Sequence, residues 1–119
     1  MSLKNIRVLD LSRILAGPFC NMLLGDLGAE IIKVEQPKTG DGSRLWGPPF
    51  IDGESAYFLS INRNKKSITV NLKKQEGLKI IYELAKKSDV LIENFRPGVT
   101  ERLKIDYPHI KEINPKIIY

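Results

Sequence analysis

Between Ile6 and Glu35 the apolar pattern changes twice, and this limits what the chain can fold into more than any other feature. Ile6 to Leu11 alternates and is rich in branched side chains, which reads as a strand. Ser12 to Gly17 is a loop, and Pro18 suits a first helical turn, where its missing N–H costs nothing. From Phe19 to Leu27 the apolar residues Phe19, Met22, Leu23 and Leu27 recur at helical spacing, and Gly28 takes the left-handed cap position. Glu30 to Glu35 returns to strand. The result is a compact βαβ unit, and its right-handed crossover makes the two strands parallel.

The rest of the chain extends that plan. Gln36 to Asn64 is punctuated by Pro37, Gly40, Gly42, Gly47, Pro48, Pro49 and Gly53, and reads as a long surface loop. Its aromatics Trp46, Phe50, Tyr57 and Phe58 predict that it packs down on the body, as functional loops of this length do. Ser67 to Leu72 alternates as a third strand. Lys74 to Lys87 is the clearest helix, with Leu78, Ile81, Tyr82 and Ala85 on one face. Val90 to Ile92 is a fourth, buried strand; Thr100 to Lys104 and Tyr107 to Ile113 are short helical pieces. Asn114-Pro115 stops the last helix, and Lys116 to Tyr119 begins a fifth strand without completing it. The expectation is an α/β, Rossmann-like parallel sheet with flanking helices, cut at Tyr119, so that residues 1–119 are the N-terminal portion of a larger domain.

Composition excludes more than it assigns. A net charge of +5 is modest, the Lys residues are spread out, and no patch interleaves aromatic with basic residues, so nucleic acid is not an expected partner. The single cysteine, Cys20, rules out an intrachain disulfide or zinc cluster and fits a reducing compartment. No signal-peptide core and no membrane-spanning run is present, so a cytoplasmic location is expected, with no membrane partner.

The chemistry-bearing residues gather at one edge. Val90–Ile92 breaks into Glu93-Asn94-Phe95-Arg96-Pro97-Gly98, which puts a cation and backbone donors at the carboxyl end of a strand, where open α/β sheets bind ligands. Arg13, Lys33, Lys73, Asn94, Arg96 and Arg102 all fall near such ends, and both a phosphate site and a solvated surface fit a set of this kind. Glu35 sits where a ribose-binding carboxylate would, but the first loop has one glycine where the dinucleotide fingerprint needs three. His109, the lone histidine, reads as a surface residue, and Cys20 as a small, buried packing residue. The aspartates are scattered singly, and no catalytic constellation or metal set emerges.

Three groups of residues are familiar together. Val8 to Phe19 (Val-Leu-Asp-Leu-Ser-Arg-Ile-Leu-Ala-Gly-Pro-Phe) with Leu27 to Glu35, then Asn62 to Ile68, and then Asp89 to Gly98 with Asn114 to Tyr119, resemble the opening of class III CoA-transferases. That family includes formyl-CoA, carnitine, bile-acid and dicarboxylate CoA-transferases, with α-methylacyl-CoA racemase as a relative. The resemblance implies a Rossmann-like large domain, an interlocked homodimer, and CoA carried between an acyl-CoA and a small carboxylic acid, without a metal. It implies CoA contacts at Leu15 and Ala16, near Glu35 and Gln36, from Val70 to Lys73, at Asn94, Phe95 and Arg96, and at Arg102. Gln36 departs from members that carry arginine there. The nucleophilic aspartate of the family lies beyond Tyr119, so no residue here is assigned a catalytic role. Acyl-CoA racemisation on the same scaffold, or a non-catalytic CoA- or nucleotide-binding piece, are the alternatives. The segment from Trp46 to Ser60 resembles transferases, most of all the dicarboxylate-handling branch.

Overall fold

The computed structural model describes residues 1–119. Its body is a four-stranded parallel sheet built from β1 (Arg7–Asp10), β2 (Glu30–Glu35), β5 (Lys65–Thr69) and β6 (Val90–Ile92), in the order β5-β2-β1-β6. The helix α1 (Ala16–Asp26) crosses from β1 to β2, and Gly28 leaves it at φ 104° as the cap requires. The helix α3 (Gln75–Lys86) crosses back from β5 to β6 with Glu76 in its first turn and Lys86 in its last, both complementing the helix dipole. Two short helices, α4 (Val99–Leu103) and α5 (Tyr107–Ile113), follow β6. No helix is long and apolar enough to cross a membrane.

The two faces of the sheet are covered differently. On the α3 side, Leu9, Leu11, Val34, Val70 and Leu91 pack against Ile81, Ala85, Ile105, Ile110 and Ile117 in one buried apolar cluster. On the α1 side the buried apolar cluster is only Val8, Ala29 and Ile31. Strand alternation carries Val8, Ile31 and the residues two further on, Asp10 and Lys33, to this same face.

Three details correct the sequence reading, and a fourth agrees with the strand it begins at Lys116. The third parallel strand runs over Lys65–Thr69 and not Ser67–Leu72: pairing with β2 begins at Lys65, and after the Val70 N–H donates to the Glu35 carbonyl the Asn71 side chain accepts the Lys73 N–H in a turn. The segment from Gln36 to Asn64 is not simple loop. It holds a 3₁₀ turn (Gly42–Leu45) capped by Asp41, a hairpin of β3 (Phe50–Ile51) and β4 (Glu54–Ser55), and α2 (Ala56–Ile61) capped by Ser55. The Asp52-Gly53 turn and the Ser55 cap were legible local signals for these elements. On α1, Phe19, Leu23, Leu27 and Cys20 are exposed, and the inner face is Gly17, Pro18, Asn21 and Met22, since this helix sits on polar groups. Lys116 to Tyr119 makes one parallel bridge, Ile118 to Val90, on the free edge of β6.

Candidate functional site

Strand order reverses beside β1: the chain steps outward through β2 and β5, then returns to place β6 on β1's other side. The crevice between the loops leaving β1 and β6 is therefore the topological switch point, the usual ligand position in open α/β sheets. One side chain ties these two loops together. The Arg13 N–H donates to Asn94 Oδ1 at 2.8 Å, and Asn94 Nδ2 donates to the Arg13 carbonyl at 2.8 Å. Asn94 thus joins the two loops; it does not itself line the cavity beside them.

Beside this seam opens a cavity of about 520 Å³, well within the size range of small-molecule sites. Arg13, Lys38, Lys73 and Arg96 line it, and no carboxylate does. Val70, Leu72, Phe95, Val99 and Leu103 supply apolar wall, and the Arg13 guanidinium lies 4.9 Å over the Phe95 ring. None of these four cations is ion-paired. Arg102 lies in an adjoining depression of about 150 Å³ that shares Leu72, Lys73 and Leu103. Leu15 and Ala16 line neither space; they sit exposed at the start of α1. The rear wall depends on Gly77: a Cβ there would lie 2.0 Å from the Asn71 carbonyl, so only glycine lets α3 start beneath the Val70–Lys74 turn. A larger cavity, about 830 Å³, opens at the amino ends of β2 and β5, but its charges are of mixed sign. The carboxyl-end cavity is the better anion site.

Beneath the rim lies a layer of charge that the sequence reading misjudged. Lys33, expected among the ligand cations, is buried with its ammonium 2.9 Å from Asp41 and 3.1 Å from the Ser12 carbonyl. Burial pushes the Asp41 carboxyl up, but Lys33 and the Ser43 N–H and hydroxyl outweigh it and hold it below its ordinary value. Glu35 is buried too. Burial raises it, yet the Arg44 fork at 2.7 and 2.8 Å, the Ser67 hydroxyl and the Asp41 N–H bring it down to about 2. It anchors the segment after β2 and is not placed for a ribose. Arg44 in turn lies 3.9 Å over the Phe58 ring; Phe58 is buried, whereas Trp46 and Phe50, expected to pack down with it, are exposed.

Asp10 is raised by burial, which Lys33, Ser12 and Lys65 only partly offset. Burial likewise lowers Lys65 to about 8, although it donates to the Pro18 carbonyl and Asn62 at 2.7 and 2.8 Å. The aspartates are thus less solitary than their spacing suggests. The overlooked signal was β2's alternation: Ile31, Lys33 and Glu35 share one face, and that face is buried.

The comparisons agree with this architecture. The profile describing CoA-transferase family III matches residues 3–119. The chain is 57% identical over 117 residues to a succinyl-CoA:glutarate CoA-transferase from Homo sapiens, covering 98% of this chain and 27% of that one. It is 47% identical over 112 residues to an acetyl-CoA:oxalate CoA-transferase from Acetobacter aceti, covering 94% and 28%. Among solved structures, a CAIB/BAIF family protein from Brucella suis superposes with a TM-score of 0.93 at 46% identity, over 98% of this chain and 32% of that chain. The chain therefore spans less than a third of the length of these relatives.

Proposed function

The chain belongs to CoA-transferase family III, and from that premise we propose that it forms the CoA-binding part of an enzyme that moves CoA from an acyl-CoA to a small carboxylic acid. The observation that carries this reading is the cavity at the switch point, with four unpaired cations, apolar walls and no carboxylate. CoA has phosphates that need cations, and an adenine and a pantetheine arm that accept apolar surface. Lys73, Arg96 and Arg102 are the phosphate contacts in this reading. Phe95 and Val70 are the walls of the cavity; Leu15 and Ala16, exposed outside it at the start of α1, meet a part of the carrier that reaches beyond it, and Asn94 offers its remaining N–H. Gln36 takes no charge to the site; Lys38, two residues on and lining the same cavity, stands as the nearby cation.

The covalent step belongs to residues outside this chain. In the reading taken from the family, an aspartate carboxylate beyond Tyr119 attacks the donor thioester, giving an acyl-aspartyl anhydride and CoA thiolate, and the thiolate attacks the aspartyl carbonyl to release the donor carboxylate and leave aspartyl-CoA. The acceptor carboxylate then displaces the thiolate to form its own anhydride with the aspartate, and the thiolate attacks the acceptor carbonyl, giving the new acyl-CoA and the free aspartate. This chain's residues then bind the carrier and orient it. They constitute the N-terminal portion of the large domain, in a cytoplasmic homodimer. The names of the relatives, glutarate and oxalate CoA-transferases, favour transfer over racemisation and a dicarboxylic acid as acceptor. The test is CoA exchange by the full-length gene product between succinyl-CoA and a panel including glutarate and oxalate, with mass spectrometry for an aspartyl-CoA adduct. No exchange with any acid would sink the transfer reading. Deuterium wash-in at the α-carbon of an acyl-CoA would put racemisation in its place.

A further inference from the structure

The loop between β1 and α1 is gripped on three sides by side chains from other elements. The Ser12 carbonyl accepts from buried Lys33, and the Ser12 N–H donates to Asp10 at 2.8 Å. Arg13 gives both its backbone groups to Asn94. The Ile14 N–H donates to both carboxylate oxygens of Asp41, each at 3.3 Å. Ile14 has φ 70°, in the left-handed region that branched residues rarely enter. Such a residue persists where its surroundings over-determine it, and it marks a conformation that is held for a reason. The next two residues, Leu15 and Ala16, start α1 with no side-chain cap.

We propose that the buried Lys33–Asp41 pair, acting opposite Asn94, is a clamp that fixes the backbone of Ser12 to Ile14 and so positions Leu15 and Ala16 for the ligand. A buried ion pair is weak evidence for stability, since a hydrophobic pair of similar shape often serves as well. What a hydrophobic pair cannot do is hold a carbonyl on one side and an N–H two residues later on the other. Lys33 and Asp41 do both while neutralising each other. Each is a positioning residue; neither lines the ligand cavity. The part of this inference that concerns ligand placement rests on the CoA-binding reading above, and the clamp itself does not.

The experiment uses the full-length gene product, hydrogen exchange read by mass spectrometry, and calorimetry with CoA. Asp41→Asn keeps the volume but cannot neutralise Lys33. The double variant Lys33→Met/Asp41→Asn removes both charges of the pair, leaves Asp10 to Lys65 at 3.8 Å, and guards against a fold that collapses. The clamp predicts that amides from Arg13 to Gly17 exchange at least about tenfold faster while β1 and β2 stay within about twofold. CoA affinity falls by about tenfold with them. Unchanged exchange in the loop overturns the clamp. So does exchange that rises equally through the sheet, or failure of both variants to fold, because the pair would then be ordinary core. A loosened loop with unaltered CoA affinity overturns the positioning role. A parent protein that binds no CoA overturns the functional reading instead, and the exchange data still decide the clamp.

Discussion

The two faces of one sheet are built on opposite terms. The α3 face is a cluster of ten buried apolar residues, with partly buried neighbours such as Leu78, Tyr82 and Leu103 closing it. The α1 face has a buried apolar cluster of only three residues, with Met22 from the helix, and then Asp10, Lys33, Glu35, Asn21 and Ser12, all buried. Register makes the second set a unit: Asp10 pairs with Lys33, Lys33 with Ser67 and Glu35 with Thr69 across three strands. Apolar burial is non-directional and holds α3 wherever it fits. The charges are directional, and each reaches a loop: Lys33 to the β1–α1 turn, and Glu35 through Arg44 to the segment after β2. One face keeps the fold together, and the other holds the rim in shape.

Removing one charge of the buried pair is the sharpest way to break that contrast. Asp41→Ala should cost about 3–5 kcal/mol in denaturant unfolding, because Lys33 is left buried without a counter-charge. Ile81→Ala on the other face should cost about 2–5 kcal/mol through its cavity. The two differ in repair. Replacing both charges at once should recover much of the first loss, and no second substitution of that kind exists for the cavity. Equal losses for Asp41→Ala and the double variant would mean that the pair is not the unit described here.

The buried charges of the α1 face should carry the acid response. Glu35 is held at about 2, below the ordinary 4.5, so its contribution is complete above 4.5 and drains away as pH falls toward 2. The loss should be on the order of 3 kcal/mol, seen as an acid limb in the stability profile that Glu35→Gln removes. Lys65 works in the other direction. Its folded value of about 8 lies below 10.5, so the unfolded chain binds the extra proton and stability rises with pH between those values. Ile81→Ala should shift the whole profile without changing its shape.

The rim separates binding from stability. Arg96 is exposed, lines the cavity and has no carboxylate partner, so Arg96→Ala should leave unfolding within about 0.5 kcal/mol of the parent. CoA affinity should fall by the worth of a charge-assisted bond, about 1.5–3 kcal/mol, read by calorimetry on the full-length protein. A loss of stability as large as the loss of affinity would place Arg96 with the buried layer and not the rim.

The contrast between Lys33 and Lys73 also shows how far the sequence could be read. Both are lysines near strand ends, and as residue types they are equal candidates. The parallel sheet, α1, α3 and the carboxyl-edge loop follow from periodicity and punctuation, which are local. The gathering of Lys73, Phe95 and Arg96 does not, because β5 and β6 are the outer strands with β2 and β1 between them, and only the loops reaching across the carboxyl edge bring these residues to one cavity. What separates Lys33 is which face of β2 it shares with buried Ile31, and that the segment returning over that face delivers Asp41. The first was available from alternation. The second depends on how residues 36–64 fold back, and their hairpin and two capped turns are marked only by Asp52-Gly53, Asp41 and Ser55. Asn94 was legible as a residue of the carboxyl-edge loop, but its bonds to Arg13 join residues far apart in the chain.

The smallest effect tests where the rim gains its order. Asn94 already fixes the Arg13 backbone, so the Phe95 ring beneath the guanidinium has only the side chain left to orient. Phe95→Leu keeps apolar volume against the α3-face cluster and removes the ring face, worth about 0.5–1 kcal/mol at an exposed site. CoA affinity should weaken by about two- to fivefold, with unfolding unchanged. Lys73→Ala supplies the counterpart, because an exposed cation acting on phosphate is screened by salt, and its loss should matter less as ionic strength rises. A Phe95→Leu effect of tenfold or more would mean that the ring touches the ligand itself, and that orientation of Arg13 is its lesser role.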